Sequence, residues 1–264
     1  MDGNLWRRGS VYPNAMMKHF RPIAALLLVC ASASVALAQE RETEEVNRTI
    51  PFQGGGTLRL KNFTGDIRIT GTDGGEVVIH AVRRATRARL DRIKLTIDTS
   101  GSVINIDAND RGGSRRDRED ENVVETSFEI RVPRRISLDV HSFSSLITVD
   151  DVDGQHKVGN FSGDVRLTRI SGPVRAKTFS GTIRLDAADA GHELDLDTFS
   201  GDVELVLPQN AGADIRFNSF SGDIRTELPI TLVSKSRRDL HATLNGGGSD
   251  VRVKTFSGDV RLGR

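Results

Sequence analysis

The sequence predicts an all-β protein, a single-stranded β-solenoid or β-helix with coils of roughly 18–21 residues, preceded by an irregular β-rich region. Three observations predict it. A phrase of the form F-S-G-D-[VI]-x-[LI] recurs along the chain, each copy is flanked by apolar residues in strict alternation, and no apolar spacing of three or four persists.

The copies are NFTGDIRI at 62–69, NFSGDVRL at 160–167, TFSGTIRL at 178–185, TFSGDVEL at 198–205, SFSGDIRT at 219–226 and TFSGDVRL at 255–262, with a degenerate SFSSLITV at 142–149. Phe63, Phe143, Phe161, Phe179, Phe199, Phe220 and Phe256 mark them, at gaps of 80, 18, 18, 20, 21 and 36. The 36 is twice 18 and the 80 is close to four times 20. Identical halves returning at a constant period fit stacked coils better than mirrored hairpins.

Within a copy, Val174 and Ala176 alternate before the Phe, and Ile183 and Leu185 after it, so each run buries one face. The two runs differ in parity, and a one-residue slip turns every side chain to the other face. A bend between Thr178 and Phe179 would put both runs and the ring inside. The seven Phe residues are therefore expected to form an interior column, each ring contributing roughly 1.5–3 kcal/mol by burial.

Ahead of the repeats, Met17 to Ala38 reads as a secretory signal. Lys18 and Arg21 precede the apolar stretch from Ile23 to Ala38, and Ala36-Leu37-Ala38 before Gln39 is a small-x-small cleavage pattern between Ala38 and Gln39. The stretch is short of the roughly 20 apolar residues that span a bilayer. Residues 1–15 do not resemble the start of a signal, which points to initiation at Met16 or Met17. Val29 stands where a lipidation site before Cys30 would have a small residue. Cleavage removes four of the 37 basic residues (Arg7, Arg8, Lys18, Arg21) and one of the 36 acidic ones (Asp2), leaving 33 against 35, a net charge of −2. It also removes every Cys, Trp, Tyr and Met. Disulfides, thiolate chemistry, Cys-ligated zinc and haem held by Met or Cys are excluded for the mature chain.

The expected organisation is an extension and signal at 1–38, a polar lead-in at 39–50, an irregular β-rich part at 51–135, and the regular solenoid at 136–264. Leu58/Leu60, Ile67/Ile69, Val77–Ala81, Ile93–Ile97, Val103–Ile106 and Phe128–Val132 are strand candidates, with a hairpin turn at 99–102 and a short helix within 85–93. Residues 111–122 read as a mixed-charge loop. Residues 231–248 read as a hairpin arm leaving the coil and returning through Gly246-Gly247-Gly248. With a complete copy so near Arg264, the last coil is expected to need covering, either by this arm or by edge-mediated self-association.

The run Arg131–Val140 (RVPRRISLDV), the tandem FSGD copies and the Gly triplet before the last copy resemble the bacterial "putative adhesin" domain family over roughly Thr57 to Leu262. The resemblance implies a β-solenoid fold and an exported, envelope location. It supplies no catalytic residues.

The repeated carboxylates Asp66, Asp164, Asp202, Asp223 and Asp259 suit turn chemistry better than a calcium ladder or a glycosidase pair, because only one falls in each lap. The five histidines beyond the leader show no metal spacing and are expected at the surface or coil edges. No catalytic, cofactor-binding or metal residue is assigned, and no cofactor is implied. The candidate contact surface for a polyanion is Arg83, Arg84, Arg87, Arg89, Arg92 and Lys94, interrupted only by Asp91 among charged residues. Nucleic acid is disfavoured because Phe is the only stacking ring. The expected function is an exported, non-enzymatic structural or adhesin-like envelope module with an unknown envelope or surface partner. Recognition of anionic envelope glycans or lipids, and a carbohydrate-active enzyme on a β-helix, are the alternatives.

Overall fold

A computed structural model describes residues 41–111, 123–189 and 191–263. The chain divides into two units, 1–38 and 39–264. The leader with its cleavage point at Ala38 and Gln39, and the loop at 112–122, lie outside the described residues.

The N-terminal strands are β1 (Glu42–Pro51), β2 (Thr57–Lys61), β3 (Ile67–Thr72) and β4 (Glu76–Ala85). Helix α1 (Arg87–Arg92) leads to β5 (Lys94–Ser100), β6 (Val103–Asp110) and β7 (Glu125–Pro133). The tandem coils follow: β8 (Ser137–Ser144) with β9 (Ile147–Asp150), β10 (His156–Ser162) with β11 (Val165–Ile170), β12 (Val174–Ser180) with β13 (Ile183–Ala187), and β14 (Leu194–Ser200) with β15 (Val203–Val206). Last come β16 (Ala213–Ser221), β17 (Ile224–Thr226), β18 (Ile230–Lys235), β19 (Asp239–Leu244), β20 (Ser249–Ser257) and β21 (Val260–Gly263).

The result is an all-β solenoid of two sheets. Each coil gives one strand to a ten-stranded sheet, ordered β1-β4-β7-β3-β9-β11-β13-β15-β21-β17. Its other strand goes to an eleven-stranded sheet, ordered β18-β19-β16-β20-β14-β12-β10-β8-β2-β6-β5. Successive coils pair in parallel with repeat positions in register, as in Val174↔Leu194 and Ile183↔Val203. Between the sheets, Val158, Ala176, Leu196 and Val253 of one and Leu167, Leu185, Leu205 and Leu262 of the other are at most 1% exposed and belong to one core.

The long gaps in the repeat hide two insertions. β20–β21 does not end the stack. It lies between β14–β15 and β16–β17. At the opposite end β2–β3 sits between β8–β9 and the strands β6 and β7. The expected arm at 231–248 is the antiparallel hairpin β18–β19, which pairs with β16 and covers the eleven-stranded sheet at that end. Antiparallel β1 and β4 close the other end of the ten-stranded sheet. Within the lead-in expected at 39–50, the residues from Glu42 onward form strand β1, made almost wholly of exposed polar residues because it is a sheet edge.

The interior Phe column is also corrected. In β12 the alternation runs through Thr178, which is buried, to Phe179, which is 46% exposed. The change of parity falls one step later, at Ser180-Gly181-Thr182, where Gly181 has φ +139°. The inward position is the polar residue before each Phe. Asn160 donates from Nδ2 to the carbonyls of Ser145 (2.8 Å) and Gly163 (3.0 Å), and Thr198 and Thr255 donate to those of Gly181 and Gly201. These side chains satisfy corner carbonyls that the sheets leave open.

Gly at the corner is required twice over, by its positive φ and by proximity. A Cβ on Gly181 would overlap the carbonyl oxygen of Gly163, and one on Gly201 that of Gly181. Gly181→Ala should therefore cost about 3 kcal/mol. Gly191→Ala, where no atom lies within 4 Å of the added carbon, should stay within about 0.5 kcal/mol of the parent. Urea melts of the two variants test the difference.

One histidine departs from the expected surface placement. His156 is 2% exposed, in register with Leu138 and Val174, and its Nδ1 has no partner while Nε2 meets the Ser171 carbonyl at 3.1 Å. Desolvation by burial lowers its pKa below the ordinary 6.5. The unfolded chain thus takes up the proton first as the solution is acidified. Stability from this site is present above the unfolded pKa and is lost as pH falls from 6.5 towards the lower folded value. His156→Leu should flatten the decline of Tm between neutral pH and about pH 5. An unchanged acid slope would show that His156 does not contribute to it.

Candidate functional site

The outward-facing Phe residues make the most ordered surface feature. Parallel in-register coils bring identical side chains one strand spacing apart. The rings stack in the order Phe63, Phe143, Phe161, Phe179, Phe199, Phe256, Phe220, with centroids 4.7–4.9 Å apart and planes within 15°. Each ring is 37–48% exposed. Faces are covered by neighbouring rings and edges are open. Arg238, from the turn of the β18–β19 hairpin, closes the Phe220 end with its guanidinium carbon 3.7 Å from the ring centroid.

Two charged rows flank the ladder. Two residues before each Phe, on the same outward face, the eleven-stranded sheet carries Lys61, His141, Gly159, Lys177, Asp197, Lys254 and Asn218 in register. Five residues after each Phe, the ten-stranded sheet carries Arg68, Thr148, Arg166, Arg184, Glu204, Arg261 and Arg225. Glu204 bridges Arg184 at 2.6 Å and Arg261 at 3.3 Å. Lys177 meets Asp197 at 3.1 Å.

The repeated Asp residues act in the corners. Asp164 accepts the Thr182 backbone N–H at 3.0 Å, Asp202 that of Asp259 at 2.8 Å, and Asp259 that of Asp223 at 3.0 Å. Each carboxylate ties its coil to the adjoining one. Among the described residues no group of three or more His, Cys, Asp or Glu is arranged to hold a metal ion.

The expected polyanion surface is not assembled as one patch. Arg83 is buried, donates to the Ile93 carbonyl at 2.5 Å and pairs with Glu44. It is withdrawn from any external contact because its strand face looks inward. Arg84 faces Glu125 at 3.7 Å, and Arg87 meets Asp91 at 3.1 Å and Glu42 at 3.8 Å. Arg87, Arg89 and Arg92 lie on α1, and Lys94 is exposed at the start of β5. The acidic residues of β1 pair in register with β4, as in Glu44↔Arg83. The acidic run at 42–45 was the sequence signal for that pairing.

A cavity of about 540 Å³ lies on the eleven-stranded sheet beside the Phe220 end, lined by Arg216, Asn218, Asp239, His241, Arg252 and Lys254. Arg216 and Arg252 are both held by Asp250 at 3.0 Å.

With this geometry in view, comparison with known proteins gives the family. The chain belongs to the Toastrack DUF4097 family, whose profile matches residues 39–263. That agrees with the resemblance carried by the FSGD copies. Similar solved structures include a "putative cell adhesion protein" from Clostridium sporogenes, 10% identical, covering 84% of this chain and 99% of that one at a TM-score of 0.47. A "putative adhesin" from Bacteroides fragilis is 7% identical, covering 83% and 96% at a TM-score of 0.32. A "Putative lipid binding protein" from Parabacteroides distasonis is 8% identical, covering 83% and 96% at 0.29. Among curated proteins none matches.

The ladder order sets the energetic ranking of its rings. Phe256 has a ring on each face, whereas Phe220 has one ring and Arg238. Phe179→Ala should cost about 1–3 kcal/mol through two lost stacking contacts and partial burial. The fully buried Leu196→Ala should cost about 2–5 kcal/mol. Phe256→Ala should exceed Phe220→Ala. Chemical melts that rank these variants in the opposite order would contradict the ladder.

Proposed function

We propose that the chain is an exported, non-enzymatic module of the cell envelope, structural or adhesin-like, that works through its laddered outer surface. One observation carries this reading: the repeat serves architecture inside and an uninterrupted ladder of seven rings outside. Its recurring carboxylates cap backbone N–H groups of adjoining coils, and its glycines permit the close approach of those coils. The ring ladder runs across coils in register and presents the same contact repeatedly, which favours attachment to an extended partner over turnover of a small one. The signal pattern ending at Ala38 supports export, and no helix among the described residues is long and apolar enough to cross a membrane.

Fractionation of the native cells tests the reading. The protein should be found with the envelope or outside the cell, start at Gln39 by mass, and stay in the cytoplasm when residues 17–38 are deleted. Cytoplasmic location of the intact chain would refute export. Release of reducing or unsaturated ends from acidic polysaccharides would refute the non-enzymatic assignment.

A further inference from the structure

We propose that β18, the outermost strand of the eleven-stranded sheet, pairs antiparallel with the β18 of a second copy of the chain, around a twofold axis between Leu232 and Val233. The four terminal strands of the two sheets differ in how their edges are protected. β1 is almost wholly polar. β5 carries Lys94 and Asp98, and its Leu95 and Ile97 are partly buried against the core. β17 is three residues long, and so short an edge offers little to pair with. β18 has none of these defences from Ile230 to Val233. Leu232 and Val233 are each 56% exposed, and among the described residues they are the only large apolar side chains outside the Phe ladder left so open. Leu232 stands opposite Ala242 of β19, which is buried with Leu240 and Leu244, so it continues the core face of the sheet past its last covered strand. The register shift between Leu232 and Ser234 leaves Val233 without a counterpart in β19. β18 has β19 on one side and no strand on the other, which leaves backbone donors and acceptors open beside these side chains.

Charge selects a second copy and sets its direction. Lys235 and Arg237 stand at the end of β18, and Glu227 precedes its start. All three are exposed and make no ion pair among the described residues. Antiparallel pairing centred between Leu232 and Val233 puts Lys235 opposite Ile230 of the second copy and carries Arg237 towards its Glu227, twice over by symmetry. Parallel pairing would bring basic end to basic end. The polar edge β1 is a poorer match for this basic end, because two of its three acids, Glu42 and Glu44, already meet Arg87 and Arg83. A twofold contact also closes at two copies, whereas β18 set head-to-tail on the β5 of another copy would run on as a filament. One six-residue strand per copy is a small interface, so the dimer should be weak, with a Kd on the order of 10 μM.

The test follows the mass of the chain purified from the native cells by sedimentation equilibrium, from about 1 to about 300 μM. The mass should rise from one copy to two and stop there. Leu232→Lys/Val233→Lys should remain a single copy over the same range, with the circular dichroism and urea midpoint of the parent, because both side chains are exposed. Glu227→Lys and Lys235→Glu/Arg237→Glu should each associate about tenfold more weakly, since like charges then meet across the axis. Mixed one to one, these two variants should regain the parental affinity, because each copy again meets opposite charge. If the lysine variant fails to fold, the charge-reversal mixture decides. The proposal is overturned if the parent stays a single copy throughout, if its mass climbs past two copies, or if a folded Leu232→Lys/Val233→Lys variant dimerises like the parent. It is also overturned if the mixture associates no better than either charge variant alone. Pairing of copies does not depend on location in the envelope, so the two readings fall separately.

Discussion

The structure depends on how closely one coil can lie on the next at the FSGD corner. Strands in both sheets are held at ordinary hydrogen-bonding distance, and the chain between them must turn within that same spacing. At Gly163, Gly181, Gly201 and Gly258 an added Cβ would overlap a backbone carbonyl of the adjoining coil. Once that contact is met, register follows. Gly163 donates its N–H to Ser180, Gly181 to Ser200 and Gly201 to Ser257, and every neighbouring position is aligned with its counterpart. The ring ladder, the inward polar column and both charged rows are consequences of that alignment rather than separate devices.

Much of this was legible in the residues. The period, the apolar alternation, the short helix before Ile93 and the hairpin arm before the Gly triplet all stand where the pattern indicates. A flip of faces does separate Ala176 from Ile183. It falls one step beyond the expected bend, because a polar side chain rather than the large apolar ring takes the inward site. The contrary signal lay one residue earlier. Asn62, Asn160, Thr198, Ser219 and Thr255 each donate to a backbone carbonyl at the corner, whereas the buried Thr178 hydroxyl has no partner. A Phe on the outside is stable when its faces are covered by copies of itself, and composition alone does not reveal such mutual cover.

The order of coils was not legible. A gap of 36 residues states that something intervenes, not that the later copy slips beneath the earlier one. Pairing partners in a parallel stack are nearly interchangeable by sequence, because each copy offers the same residues to its neighbour. What distinguishes the positions is what surrounds them. The β16 strand meets an antiparallel hairpin on its outer side, and the polar β1 meets none. Similarly, the basic run at 83–94 reads as one patch in sequence and is divided in space, because consecutive residues of β4 face opposite ways and α1 carries the remainder elsewhere.

The inserted coil has a consequence for assembly. β20 and β21 leave the ribosome after the strands on both sides of their slot have been made. Until they arrive, β14 and β15 present open backbone edges while β16 and β17 have no floor. The stack therefore cannot be completed from the first strand onward as synthesis proceeds. It closes when β20 and β21 are driven in like a keystone, after the strands on both sides are in place.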